Sequence, residues 1–248
     1  MQAEDYQFFQ THGYVSLGKI FTDDEAKYFL DAFDRDRANY PSYWYKFGGH
    51  QTINCDSLAS TPEFDQLIRH PEVMIPLQTL MGGLVCFSEI CIRHMAPYDG
   101  QPNQGWHRDR PHWLDHPLRM DYIQLMVYLS DVDEGTHCFS LSPESIDQEV
   151  QQDQGEQIAR GGEYHLHGPA GTCALFNVAV LHTPTTRSTT AERRTVQIYY
   201  GHRDRAPLAN DSSIPSAFWR DSADGEKRGF YGVLNERTKK YMAAFPGK

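Results

Sequence analysis

The first constraint on the fold is a change in sequence texture near residue 84. Beyond it, short runs rich in β-branched and aromatic residues are separated by clusters of turn-forming residues, which is the pattern of strands joined by turns. The runs that we predict as strands are 84–95, 122–129, 138–141, 164–167, 172–181 and 195–200. Several short strands at this spacing favour a sandwich or a jelly roll.

The residues before this point carry helical signals instead. Thr22 is followed three residues later by Glu25, the capping-box pattern of a helix start, and apolar residues then recur at helical spacing. Residues 61–83 predict one or two short helices, with Pro71 and Pro76 as interruptions, because proline lacks the backbone donor that a helix interior needs. These helices should pack against the β-rich part.

We therefore predict a single, mainly β domain with flanking helices over residues 1–248. A helical N-terminal part (1–83) precedes a barrel (84–203), and a C-terminal extension (204–248) follows it. The polar, Gln-rich segment at 145–162 is predicted to be an insertion or lid over the barrel.

The composition indicates which binding partners and which cellular compartment to expect. Acidic residues outnumber basic ones by 33 to 23, and the net charge of −10 disfavours nucleic acid and anionic membrane surfaces as partners. Five widely spaced cysteines without a CxxC motif favour free thiols in a reducing compartment. The N-terminal stretch lacks the features of a secretory signal, and no run reaches the ~18 apolar residues of a membrane span. We expect a cytoplasmic protein.

One half of a metal site is suggested by the stretch GWHRDRPHW. His107 and Asp109 stand one residue apart in it, between Trp106 and Trp113. On a strand, two such side chains point to the same side, where an imidazole and a carboxylate would meet one metal ion. A His-x-Asp pair also occurs by chance on surfaces, so the remaining ligand has to come from elsewhere in the chain.

The second half of the site is suggested by the stretch GTCALFNVAVLHTPTTRSTTAERRTVQIYYGH, in which a buried strand delivers His182. If this strand forms a hairpin with the next one, centred near Arg187 and Ser188, then Arg193 faces His182 and Arg194 points away. Two histidines and a carboxylate on one face are the facial triad of non-haem Fe(II) oxygenases. A guanidinium beside them suits a dicarboxylate such as 2-oxoglutarate.

These motifs resemble those of the phytanoyl-CoA dioxygenase family of Fe(II)/2-oxoglutarate oxygenases. The similar stretches are FFQTHGYVSLGKIFTDDEAKYFLDAF, WHRD, and GTCALFNVAVLHT followed by Arg193. The segment CFSLSPES is similar to the family's Pro-Gly-Ser-His segment, with Glu144 in place of Gly and Ile146 in place of His. The resemblance covers roughly residues 6–203 and implies a double-stranded β-helix, a jelly-roll, cupin-like barrel.

The resemblance also implies roles for individual residues. The implied iron ligands are His107, Asp109 and His182. It implies that Arg193 holds 2-oxoglutarate in part, and Gln104 matches a glutamine that touches 2-oxoglutarate in some relatives. Several relatives have a hydroxyl residue where this chain has Pro184, so we expect Thr183 or Thr185 to supply that contact.

Substrate contacts are predicted less sharply. The candidates are Arg93, Trp106, His112 and Trp113. Arg93 either faces the barrel and binds an anionic substrate group or forms a surface ion pair. The aromatic stretch at 40–50 is either a hydrophobic edge where the helices meet the barrel or a wall of the substrate site. The pair His165 and His167 lacks the nearby glutamate of a cupin metal site, so we do not expect it to bind metal.

The leading functional prediction is a dioxygenase that uses Fe(II), 2-oxoglutarate and O2 to hydroxylate a C–H bond of a small molecule, with release of succinate and CO2. One alternative keeps the same cofactor chemistry but ends in desaturation, epimerisation or ring closure, which product analysis separates from hydroxylation. Another is a non-catalytic barrel that only binds a ligand, and failure to bind iron would favour it.

Overall fold

A computed structural model describes residues 1–111, 122–148, 150–207 and 209–245 of the chain. The strands in this part are β1 (Tyr14–Lys19), β2 (Tyr45–Phe47), β3 (Gln51–Asn54), β4 (Val85–Met95), β5 (Asn103–Gln104), β6 (Tyr122–Tyr128), β7 (Cys138–Leu141), β8 (Tyr164–Leu166), β9 (Thr172–Asn177), β10 (His182–Thr186) and β11 (Arg193–His202). The helices are α1 (Ala3–His12), α2 (Asp23–Asn39), α3 (Ser57–Ser60), α4 (Phe64–Ile68), α5 (Pro71–Met81), α6 (Gln154–Gly161), α7 (Ser216–Trp219), α8 (Gly225–Tyr231) and α9 (Glu236–Ala244).

The strands form two antiparallel sheets. The larger has the order β1-β9-β6-β11-β4-β3-β2, and the smaller has the order β5-β10-β7-β8. One face of the larger sheet packs against the helices through residues such as Ile92 and Ile198. Its other face packs against the smaller sheet, where Phe176 and Phe139 belong to a second apolar cluster. The predicted mainly β fold with flanking helices is confirmed.

Local signals explain the helices of the N-terminal part. The hydroxyl of Thr22 accepts a hydrogen bond from the backbone N–H of Glu25 at 3.2 Å, and the Glu25 carboxylate accepts the N–H of Thr22 at 2.9 Å. This is the capping box that the sequence predicted for α2. At the end of α1, Gly13 has φ +74°, and a Cβ atom there would lie 2.4 Å from Val180 Cγ2, so only glycine fits.

The effect of the prolines in α5 differs from the prediction in one respect. Pro71 stands at the helix start, where its missing N–H costs nothing. Pro76 lies inside the helix without ending it. The buried side chains of Val73, Leu77 and Leu80 fix this helix against the core, and we infer that this packing offsets the hydrogen bond lost at the proline.

Strand β11 does not form the predicted hairpin with the strand before it. β10 pairs with β7, with His182 opposite Leu141, whereas β11 pairs with β4, with Arg193 opposite Met95. The chain between β10 and β11 therefore crosses from the smaller sheet to the larger one. The register that the sequence analysis derived for His182 and Arg193 is wrong, because the strands find partners distant in sequence.

The aromatic stretch at 40–50 contains β2, and β3 follows directly after it; the sequence analysis predicted neither strand. β2 and β3 extend the edge of the larger sheet, with Ile53 opposite Arg93. Tyr45 and Phe47 stay half-exposed on this edge. All five cysteines are buried and free. None of the helices among the described residues combines the length and the apolar composition that a membrane span needs.

Candidate active site

The HxD motif lies in the loop after β5 rather than on the predicted strand. His107 and His182 exchange two backbone hydrogen bonds, each 2.9 Å long, and the N–H of Asp109 donates to the carbonyl of Val178 at 3.1 Å. The predicted strand at 172–181 ends at Asn177, and the turn that follows supplies this carbonyl. Backbone pairing to the start of β10 therefore brings the motif to the distal histidine.

Three side chains converge at this point. His107, Asp109 and His182 each offer one ligand atom, and these atoms lie within 4.8 Å of one another. The carboxylate oxygens of Asp109 are 3.5 Å from His107 Nε2 and 3.6 Å from His182 Nε2. This is the only such group among the described residues.

The tautomers of both imidazoles suit a metal ion. His107 Nδ1 lies 2.8 Å from the carbonyl of Gly105, and His182 Nδ1 lies 2.8 Å from the carbonyl of Val180. A carbonyl only accepts, so each Nδ1 carries a proton, and in the neutral imidazole the lone pair is then on Nε2, which faces Asp109. Burial lowers the pKa of His182 against the opposing effect of Asp109, which favours the neutral ligand form.

The carboxylate ligand is held by a tyrosine on the larger sheet. Tyr199 Oη donates to Asp109 Oδ2 at 2.7 Å. Burial, together with the charge of Asp109, raises the pKa of Tyr199 well above its usual value, so the phenol stays protonated and remains a donor. A register shift between Tyr199 and Tyr200 interrupts the pairing of β11 with β4 here, as bulges beside active sites often do.

The arginine of the predicted site has no counter-ion among the described residues. Arg193 is 1% exposed, and no described residue forms a hydrogen bond with its Nε or Nη1 atom. Burial lowers the pKa of Arg193, with Arg93 adding to the effect, yet a guanidinium keeps its charge in proteins. Because a buried, unpaired cation is costly, the position calls for an anionic ligand. The neighbouring Arg194 points away and pairs with Asp34 and Glu192, each at 2.8 Å.

Arg193 and the three converging side chains line one cavity of about 480 Å³. Two imidazole nitrogens and one carboxylate match the ligand set of a non-haem Fe(II) centre that leaves positions open. The orphaned nitrogens of Arg193 match the distal carboxylate of 2-oxoglutarate, which needs a bidentate cation. The residues present therefore fit both groups.

Two predicted 2-oxoglutarate contacts are not brought to this cavity. Along β10 the side chains alternate, so Pro184 lines the cavity with the distal histidine while Thr183 faces the other way. The Thr183 hydroxyl accepts the N–H of Gly105 at 2.8 Å. Gln104 donates to Glu163 at 2.9 Å and to Thr185 at 3.1 Å in a separate depression. The predictions for Gln104 and Thr183 are corrected accordingly.

The predicted substrate contacts divide into three outcomes. Arg93 lines the cavity. Trp106 is not among the residues that line the cavity. Its indole N–H donates to Gln104 at 3.3 Å, and its backbone carbonyl accepts a hydrogen bond from Gln154 of α6. His112 and Trp113 lie outside the described residues.

Glu144, which replaces a glycine in the resemblance, has a role that the sequence did not reveal. Its buried carboxylate pairs with Arg108, the middle residue of the HxD motif, and accepts the N–H of Leu181 at 3.3 Å. Arg108 also donates to the carbonyl of Ala179 at 2.6 Å. This ion pair fastens the HxD loop to the segment that precedes the distal histidine.

Two acidic residues on the cavity wall were missed altogether. Glu89 and Asp211 line the cavity with Arg93. Glu89 could have been found from the sequence, because a carboxylate in an apolar strand, four residues before an arginine, shares its face. Asp211 carried no such signal, since it lies in the irregular C-terminal extension.

Comparison with known proteins supports this interpretation of the site. The sequence matches the phytanoyl-CoA dioxygenase (PhyH) family over residues 9–195. A search of curated proteins found no match.

Among solved structures, the fold is similar to that of the 2-oxoglutarate-dependent carbocyclase SnoK from nogalamycin biosynthesis (TM-score 0.72, 15% identity, 91% of this chain and 92% of that chain). It is also similar to EctD from S. alaskensis with bound Fe (TM-score 0.70, 18% identity, 87% of this chain and 82% of that chain). It is similar as well to the epimerase SnoN in complex with Fe3+, alpha ketoglutarate and nogalamycin RO (TM-score 0.70, 16% identity, 94% of this chain and 96% of that chain). At these identities the likeness establishes the fold, the double-stranded β-helix of these enzymes.

The family match spans most of the chain, and the converging histidines, carboxylate and unpaired arginine lie in a barrel of the corresponding fold. The chain therefore belongs to the phytanoyl-CoA dioxygenase family of iron- and 2-oxoglutarate-dependent oxygenases.

Proposed function

We propose that the protein hydroxylates a C–H bond of a small molecule, with 2-oxoglutarate and O2 consumed and succinate and CO2 released. The observation that carries the proposal is that Arg193 lines the same cavity as the two histidines and the aspartate, buried and without a counter-ion from any described residue. A barrel that only bound a ligand would have no reason to keep both features together.

The roles follow from the contacts. His107, Asp109 and His182 hold the iron through atoms that their backbone and tyrosine partners already orient. Arg193 binds the distal carboxylate of 2-oxoglutarate. When bound, iron and 2-oxoglutarate together activate O2 and supply the oxidant for the substrate C–H bond.

Apolar side chains border the distal histidine on one side of the cavity. Phe139 and Pro184 line the cavity beside the distal histidine, and the centroid of the Phe139 ring lies 5.7 Å from that of the His182 imidazole, with the two planes tilted by 42°. They exclude water from the oxidant and limit side reactions. Arg93 reaches the cavity from β4 and is placed to bind a polar substrate group.

The size and charge of the site favour a small-molecule substrate. A cavity of about 480 Å³ must hold 2-oxoglutarate as well, which leaves room for a compact molecule. The acidic chain disfavours nucleic acid, and the five reduced cysteines suit the cytoplasm.

The test is direct. Anaerobic addition of Fe(II) and 2-oxoglutarate should produce a visible charge-transfer band, because the keto acid chelates the iron. His107→Ala, Asp109→Ala and His182→Ala should each abolish it. His165→Ala, which changes a histidine outside the cavity, should keep it. An unchanged band in all three ligand variants would show that the iron lies elsewhere.

The outcome of the reaction is decided by the product. With the substrate in hand, mass spectrometry distinguishes the gain of one oxygen atom from the loss of two hydrogens or an unchanged mass. Hydroxylation predicts the first. The carbocyclase and epimerase among the similar structures show that this fold also hosts the other outcomes.

A further inference from the structure

The cavity carries more charge than iron and 2-oxoglutarate need. Once Asp109 is assigned to the metal and Arg193 to the cosubstrate, three charged side chains on its wall remain: Glu89, Arg93 and Asp211. The first two share a face of β4. At about 3.3 Å per residue, their α-carbons are about 13 Å apart along the strand.

Arg93 presents a cation without a carboxylate partner. None of the carboxylates in the described part of the chain lies within ion-pair distance of it, and its Nε atom is buried without a hydrogen-bond partner. Its guanidinium lies 5.1 Å from the ring centroid of Phe47, a contact that stabilises a cation only weakly. Burial opposes the charge of Arg93, but Cys91 on the same face of β4 acts the other way and helps to raise the pKa of the guanidinium, so the cation persists. An anion entering the cavity would therefore find an oriented guanidinium.

Glu89 presents the opposite charge and is equally unpaired. It is 6% exposed and accepts a hydrogen bond from the backbone N–H of Asp211 at 3.2 Å. No lysine or arginine of the described residues forms an ion pair with it. Burial, with the charge of Asp211 next, raises the pKa of Glu89 to about 7. Two carboxyl groups at this end of the cavity favour a cation or an N–H donor there.

We infer that the substrate is a small dipolar molecule, an amino acid or betaine in its chemistry, whose carboxylate binds Arg93 and whose cationic nitrogen faces Glu89 and Asp211. This inference rests on the proposed function, because it assigns Arg193 to 2-oxoglutarate. The rival role for Arg93 is a second contact to 2-oxoglutarate, and the experiment separates the two.

The first experiment measures binding by calorimetry, with protein loaded anaerobically with Fe(II) and 2-oxoglutarate. The probes are a series of ω-amino acids of increasing length, from glycine to aminohexanoate, with the matching alkanoates and ω-amino amides. The amino acids should bind at least tenfold more tightly than both matched sets, with an optimum at one chain length, because each matched set lacks one charge.

Each other result contradicts part of the inference. Amides that bind as tightly as the acids would remove the role of Arg93, and alkanoates that do so would remove that of Glu89 and Asp211. If none of the probes binds while the visible iron band is intact, the dipolar substrate is wrong and the proposed function stands.

The second experiment uses variants. Arg93→Gln should weaken binding of the best ω-amino acid about tenfold or more, and Arg93→Lys should restore part of it. The affinity for 2-oxoglutarate, read from the visible band, should change less than threefold in Arg93→Gln. Arg194→Gln, a change on the outer face, is the control and should alter neither. A loss of 2-oxoglutarate affinity in Arg93→Gln would establish the rival role.

Discussion

Two buried ionisable side chains of this protein, Asp36 and Arg193, differ in how many hydrogen-bond partners the fold gives them. Asp36 of α2 is 0% exposed, yet it accepts hydrogen bonds from Trp44 (2.8 Å), Asn54 (2.9 Å), Thr61 (2.7 Å) and Ser60 (2.5 Å). Arg193 is as deeply buried, and two of its nitrogens, Nε and Nη1, have no hydrogen-bond partner in the part of the chain that the structure describes.

The difference separates a buried charge that stabilises the fold from one that is placed to bind a ligand. Folding surrounds Asp36 with donors from Trp44 before β2, from β3 and from the end of α3, so its desolvation is compensated within the chain. The desolvation of Arg193 is not compensated by any partner in the described residues, and such a group normally persists only for function. A substitution at Asp36 should therefore lower stability and leave ligand affinity unchanged, whereas one at Arg193 should raise stability and weaken ligand binding.

The largest effect is expected at Asp36. Asp36→Ala should lower the free energy of unfolding by about 4 kcal/mol, because it leaves several buried donors without an acceptor. Denaturant unfolding at neutral pH measures the loss. The affinity of the folded fraction for 2-oxoglutarate should not change, and a stability loss under about 1 kcal/mol would contradict the structural role.

Glu89 should show the next largest effect, and it should depend on pH. The folded pKa of about 7 lies above the usual value of 4.5, so the folded state binds the extra proton between these two pH values and loses stability as the pH rises through them. The loss amounts to about 3 kcal/mol in total. Asp211, Arg93, Asp109 and Tyr199 are the charged or titratable groups that act on Glu89 from the cavity wall.

Glu89→Gln removes this titration. The variant should be more stable than the wild type at pH 8, and this advantage should shrink by about 3 kcal/mol towards pH 4.5. Paired unfolding curves across this range measure it. Glu192→Gln, whose carboxylate pairs with Arg194 on the other face, is the matched control. An advantage that does not vary with pH would mean that Glu89 titrates normally.

At Arg193, stability and 2-oxoglutarate affinity should change in opposite directions. Arg193→Leu should raise the free energy of unfolding of the ligand-free protein by roughly 1–3 kcal/mol, because it removes an unpaired buried charge. It should also weaken 2-oxoglutarate binding about tenfold to a hundredfold. Arg194→Leu should do neither to a comparable extent, and the reverse ranking would exchange the roles of the two arginines.

The smallest effect is expected at Tyr199. Tyr199→Phe removes one hydrogen bond to the Asp109 carboxylate and should weaken Fe(II) binding about tenfold, as changes at residues that orient metal ligands usually do. Competition with a chelator measures the affinity. The position of the visible band should shift as well, because the carboxylate is no longer held. An unchanged affinity and band would leave Tyr199 with a packing role alone.

The sequence by itself determined the elements whose signals are local. The strand predicted at 138–141 coincides with β7, and the capping box at Thr22 starts α2 as expected. The set of candidate ligands was also readable, because His107, Asp109 and His182 occur together with Arg193 at an informative spacing. Local signals suffice here because caps and side-chain alternation depend on a few neighbouring residues.

Tertiary structure decided how these elements meet. It placed the HxD motif in a loop that is pinned to β10, separated β10 and β11 into different sheets, and turned Thr183 away from the cavity while Pro184 faces it. It also buried Glu89 beside Asp211. Each of these outcomes depends on pairing between segments distant in sequence, whose register is set by the packing of two whole sheets rather than by any single stretch of residues.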